Sequence, residues 1–157
     1  MAADVAIAEI TDRRIDVGAV LDAVRDADAG AAVLFVGSVR RTTGGAVTER
    51  LTYEAYASMA AAEMRRVLGG VAAEYPVLKL AAVHRVGPLE IGEDAVAVAA
   101  GGAHRDETFA AARAAIDRIK ASVPIWKQEH WRGGGVEWAG PDDAGAAFAE
   151  SQAGPPA

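Results

Sequence analysis

Pro76 and Pro124 constrain this chain more than any other residues. Each ends a long stretch of helical period and is followed by a stretch that alternates like a strand. Proline lacks the N–H that a helix ladder needs and disfavours helical backbone at the preceding residue, so both helices must stop there. Before Pro76, Ser58 is placed to cap a helix reaching about Tyr75, with Ala60, Met64, Val67, Val71 and Tyr75 along one face. Gly69-Gly70 weaken that helix midway. Before Pro124, a second helix spans about Arg105 to Ser122. Near the start, Asp16 is placed to cap a third through about Arg25, with Val17, Val20, Leu21 and Val24 on one side.

Between the helices the period changes to two. Val5–Ile10, Thr48–Tyr56, Val77–Val86 and Asp94–Ala100 alternate as strands, and Val123–Trp131 reads as extended. Ala31–Arg40 carries apolar residues on both faces, which predicts a fully buried strand. Gly87–Gly92 is a tight connection, and Arg41–Ala46 a flexible turn or loop. Mixed strands, hairpin-like pairs and three main helices predict an α+β fold. Strand order is not readable from the pattern. Residues 1–140 are expected to form one domain, and the Ala/Gly/Pro-rich tail 141–157 is expected to be partly mobile.

Charge and cysteine content narrow the chemistry. The chain has 16 Lys+Arg against 22 Asp+Glu, a net charge of −6, which is not the footprint of a nucleic-acid binder. Any anion site must be a local cluster of cations. The absence of cysteine excludes disulfides, thiolate metal sites and a cysteine nucleophile. No basic stretch precedes an apolar run near Met1, and no apolar segment approaches the ~20 residues that span a bilayer, so a cytoplasmic location is expected. His130 stands without a cluster of ligands, and no metal site is expected.

Several segments carry candidate site residues. Arg40 ends a strand and precedes a glycine-containing loop, and its planar guanidinium suits a phosphate; a solvated strand-end arginine is the simpler reading. His104-Arg105 stand where strand gives way to helix, where backbone N–H groups favour anions; capping by His104 explains the pair equally well. Lys120 lies about 20° around the helix from Phe109, beside Ile116 and Ile119, while Arg118 falls about 180° from Phe109 and points to solvent. A lysine at an apolar edge can lose hydration and move toward acid–base use, or its stem can cover the core with the ammonium in water. In Val123–Trp131, Ile125 and Lys127 share one face and Trp126 takes the other, so Lys127 either faces a cleft or is an ordinary surface lysine. His84 shares a face with Leu80, Ala82 and Val86 and reads as a core histidine. Trp126, Trp131 and Trp138 read as packing or interface residues.

Five motifs in order carry a resemblance: Phe35-Val36-Gly37-Ser38-Val39-Arg40, Leu51-Thr52-Tyr53-Glu54-Ala55-Tyr56, His84-Arg85-Val86-Gly87, Ala103-His104-Arg105 and Lys120-Ala121-Ser122-Val123-Pro124-Ile125-Trp126-Lys127. Together they resemble the large, catalytic subunits of molybdopterin synthases, the last motif being the most specific. The resemblance implies an α/β-hammerhead-like domain with antiparallel hairpins. It also implies conversion of a cyclic pyranopterin monophosphate into the molybdopterin dithiolene, with sulfur from the C-terminal Gly-Gly thiocarboxylate of a small ubiquitin-like partner. Lys120 and Lys127 are then the catalytic pair and Arg40, His104 and Arg105 bind substrate, with no cofactor, nucleic acid or membrane. This chain departs from the pattern after Arg40, where Arg41-Thr42-Thr43-Gly44-Gly45 replaces the Asn or Asp and His of many relatives, leaving that loop without an assigned role.

Arg105 and Lys120 sit on one predicted helix, about 22 Å apart at 1.5 Å per residue. A small pterin does not reach both ends. The expectation is a homodimer, within a heterotetramer, whose composite sites join Arg40, Lys120 and Lys127 of one copy to His104 and Arg105 of the other. Two alternatives are a non-catalytic anion- or nucleotide-binding module, which would need neither lysine, and a scaffold that only binds a ubiquitin-like tail.

Overall fold

The computed structural model describes residues 3–141. A four-stranded sheet runs in the order β1 (Asp4–Thr11), β5 (Val77–Arg85), β7 (Asp94–Gly102) and β2 (Ala31–Ser38). β1 pairs with β5 in parallel, and the other pairings are antiparallel. A second sheet holds β3 (Thr42–Thr43), β4 (Ala46–Ala55), β8 (Ile125–Trp131) and β9 (Val136–Ala139), with β6 (Gly87–Leu89) also paired to β4. Over the described residues the fold is α+β with three helices and antiparallel hairpins, as the residue pattern predicts.

Strand alternation decides how the layers form. Leu80, Ala82, Val96, Val98 and Ala100 face the side covered by α2 (Ala57–Glu74) and α3 (Arg105–Ser122). Their neighbours Ala81, Val83, Ala97 and Ala99 face α1 (Val17–Ala23), where Val20 and Val24 pack on them. A third cluster of Val39, Leu51, Leu89 and Ala95 fills the junction between the sheets. Asp16 caps α1 as expected, its Oδ1 accepting from Ala19 N at 3.0 Å.

Several expectations are corrected. The strand buried on both faces is not Ala31–Arg40 but β5 and β7; β2 is an edge strand, with Phe35 38% exposed. Apolar residues on both faces do not tell a central strand from an edge. α2 begins at Ala57, so Ser58 is inside it and not its cap; Tyr56 holds that position without a side-chain cap bond. The helix runs unbroken through Gly69-Gly70 to Glu74. The Arg41–Ala46 loop is a short hairpin in which Thr42 and Thr43 pair with Val47 and Ala46. Gly44 and Gly45 supply its turn at φ 57° and 85°, a backbone that favours glycine. The Gly87–Gly92 connection carries β6, whose Leu89 is buried between the sheets. β9 was not expected at all. Beyond Pro141, the tail lies outside the described residues. No helix among the described residues is long and apolar enough to cross a membrane.

Candidate active site

A cavity of about 180 Å³ opens where the two sheets meet under the C-terminal half of α3. β2 contributes Ser38, β4 Tyr53, β5 His84, α3 Lys120 and β8 Lys127, over an apolar wall that includes Ile116, Ile119 and Ile125. The two lysines thus reach one cavity from different elements. Pro124 makes this possible: it ends α3 just past Lys120 and sends the chain into β8, where alternation puts Ile125 and Lys127 on the cavity side.

The lysines have different surroundings. Lys127, about one-third exposed, lies opposite Tyr53 in the β4–β8 ladder. Its Nζ is 3.6 Å from Oε2 of Glu129, two residues along the same strand face. Glu129 is buried, and its Oε1 accepts from Thr48 Oγ1 at 2.5 Å and Thr43 Oγ1 at 3.1 Å. A buried carboxylate needs such donors and a nearby cation, so the hairpin without an assigned role helps hold the negative charge beside Lys127. Lys120 is exposed at the cavity edge and forms no ion pair with the described residues.

The stripe assignment on α3 shifts. Phe109, the expected marker of its buried face, is 61% exposed; Thr108, Ala111, Ala112, Ala115, Ile116 and Ile119 form that face instead. At about 100° per residue, Phe109 and Lys120 fall together on one flank of this face and Arg118 on the other. Arg118 does not point freely to solvent: its Nη1 and Nη2 bond both carboxylate oxygens of Glu74 on α2, at 3.2 and 2.5 Å.

Tyr53 and His84 also line the cavity, though the sequence pattern gives Tyr53 no role of its own and reads His84 only as a core histidine. His84 is buried, as its strand face predicts, and it also lines the cavity. Its Nδ1 lies 2.8 Å from the Arg85 carbonyl oxygen, and its ring meets that of Tyr53 edge-on with centroids 4.9 Å apart. Burial, and secondarily the Lys120 ammonium, pushes the imidazole down to about 4 against an opposing bond to the Arg85 backbone. Burial, aided by Glu129, raises the Tyr53 phenol above its ordinary value, so it stays protonated. The signal for Glu129 was present in the alternation Ile125, Lys127, Glu129, which places all three on one strand face.

The remaining predicted residues do not line the cavity. Arg40 is exposed two residues beyond Ser38. His104 and Arg105 are exposed at the start of α3, and the His104 side chain makes no cap bond. Instead Thr108 Oγ1 donates to the His104 carbonyl at 2.6 Å, leaving the imidazole outside the helix. Since α3 is continuous, Arg105 remains about 22 Å along the axis from Lys120. Trp126 is half-buried and meets Tyr56 edge-on, with centroids 6.4 Å apart.

The profile of the MoaE protein family matches residues 10–122. The molybdopterin synthase catalytic subunit of Halalkalibacterium halodurans is 41% identical over 131 residues, covering 83% of each chain. Molybdopterin synthase catalytic subunit 1 of Mycobacterium tuberculosis is 40% identical over 131 residues, 83% of this chain and 88% of that one. The X-ray structure of molybdopterin synthase from Staphylococcus aureus superposes with a TM-score of 0.79 at 38% identity, covering 84% of this chain and 96% of that one.

Proposed function

The chain belongs to the MoaE protein family, and on that premise we propose that it is a catalytic subunit of molybdopterin synthase. It acts in the cytoplasm as a homodimer. It takes sulfur from the C-terminal thiocarboxylate of a small ubiquitin-like subunit and builds the dithiolene on cyclic pyranopterin monophosphate. The observation that carries this reading is the convergence of Lys120 and Lys127 on one cavity. Two cations facing a partly apolar cavity attract an anionic tail and stabilise charge that develops as sulfur adds to carbon. The absence of cysteine fits sulfur that arrives on a partner. Arg40 of the same copy, with His104 and Arg105 of a second, supplies the phosphate contacts, since guanidinium groups and a helix start both suit that anion.

The test is reconstitution with the thiocarboxylated small subunit and cyclic pyranopterin monophosphate, followed by assay of dithiolene formation. Lys120→Ala and Lys127→Ala are each expected to lower turnover by about 100-fold or more while co-eluting with the small subunit in gel filtration. A binding module would tolerate both changes. Absence of product with a partner proven active on another synthase would refute the assignment.

A further inference from the structure

We infer that His84 is a positioning residue of the same site, its Nε2 offering an open acceptor onto which the Lys120 ammonium turns and which aims that cation into the cavity. A carbonyl oxygen only accepts, so the 2.8 Å contact with Arg85 O fixes the proton on Nδ1. The neutral ring then carries its lone pair on Nε2, which accepts no hydrogen bond among the described residues in this side-chain arrangement, so the contact forms when the flexible Lys120 stem turns its ammonium toward the ring. Nε2 is not sealed from solvent either: among the described residues, the fully enclosed side-chain polar atom without a partner is Arg85 Nε. His84 lines the cavity, so this lone pair is available there. The ring stays uncharged at neutral pH because burial and the adjacent Lys120 disfavour its proton.

Lys120 supplies the matching half. It has three N–H donors and shares the cavity with His84, close enough for its charge to act on the imidazole. The two lysines are then held differently. Lys127 lies beside a carboxylate, which offsets its charge. A neutral imidazole orients Lys120 without offsetting it, leaving the whole positive charge for an anionic tail. The catalytic consequence rests on the proposed function; the His84–Lys120 contact does not.

The experiment separates the two ring nitrogens. His84→Asn keeps a donor near the Nδ1 position but loses the cavity-side acceptor; His84→Gln reaches the cavity with an amide oxygen. His84→Asn is expected to lower kcat about tenfold or more with KM changed far less, and His84→Gln to recover most of that loss. Competitive acetylation read by mass spectrometry reports the contact without catalysis. Lys79, Lys120 and Lys127 are the chain's three lysines, and Lys79, paired with Asp26 at 3.2 Å, is the internal reference. Loss of the acceptor in His84→Asn should speed Lys120 acetylation relative to Lys79 by about fivefold, the effect of one ordinary hydrogen bond, and His84→Gln should restore the slower rate. Unchanged Lys120 labelling in His84→Asn, or loss of activity that follows lost stability in both variants, would overturn the inference. A wild-type chain that makes no dithiolene would overturn the proposed function, and the labelling would still decide the contact.

Discussion

At His84, burial removes water from an imidazole whose charged form the Lys120 ammonium also disfavours, so the folded chain binds that proton only near pH 4. The unfolded chain binds it near the ordinary value of about 6.5. Between these values the unfolded state holds more protons, and stability rises with pH. The contribution is complete above the unfolded value and is lost as pH falls toward the folded one. Urea denaturation at pH 7 and pH 5 should show a loss of roughly 2 kcal/mol in the wild type beyond that in His84→Gln. Equal losses would mean that His84 titrates normally in the folded chain. The strand pattern placed this ring on the buried face correctly, but period two says only which face a residue takes. It cannot say that the sheet ends beneath α3 there and leaves a cavity. Glu129 was hidden differently: its partners Thr43 and Thr48 stand more than 80 residues away, joined to it by the β4–β8 pairing.

Helices were more legible than strands because their period is local. α1 and α2 follow the predicted apolar faces, α3 keeps Ile116 and Ile119 but not Phe109 on its buried face, and Pro76 and Pro124 end two of the helices within two residues. What failed at this scale depended on neighbours distant in sequence: whether β2 lies at the edge or the centre, and whether Val136–Ala139 finds β8 to pair with. The glycine pair in α2 is the instructive case. Propensity marks Gly69-Gly70 as a weak point, yet packing of Met64, Val67, Leu68 and Val71 carries the helix through. Gly69 is exposed, and an added Cβ would meet nothing within 4 Å. Gly69→Ala should therefore stabilise the protein by about 0.5–1 kcal/mol, mostly by restricting the unfolded chain, with turnover unchanged. Thermal melting measures it; a lower Tm would show that the glycine serves a contact made only in an assembly. Gly101 is the opposite case, since a Cβ there would run into the Val24 carbonyl, and this close approach seats α1 on the sheet.

At the scale of the whole molecule, the proposed function asks for one thing that a single copy does not offer. Lys120 and Lys127 share a cavity, while His104 and Arg105 sit exposed at the far end of an unbroken α3. If all four serve one small substrate, the second pair must come from another copy, related so that each contributes both halves. Mixed dimers distinguish this arrangement from a site within one chain. Pairing a Lys120→Ala chain with an Arg105→Ala chain leaves one composite site with both changes and the other with neither. Each mixed dimer then keeps one working site of two. Random mixing of equal amounts, where half the dimers are mixed, should restore roughly a quarter of wild-type turnover from two inactive parents. With Lys120 and Arg105 acting from the same chain, every site in the mixture lacks one of them, and turnover stays at the level of the parents. Tagging the two chains differently and isolating the mixed dimer raises the expected recovery to about half, which makes the two arrangements easy to tell apart.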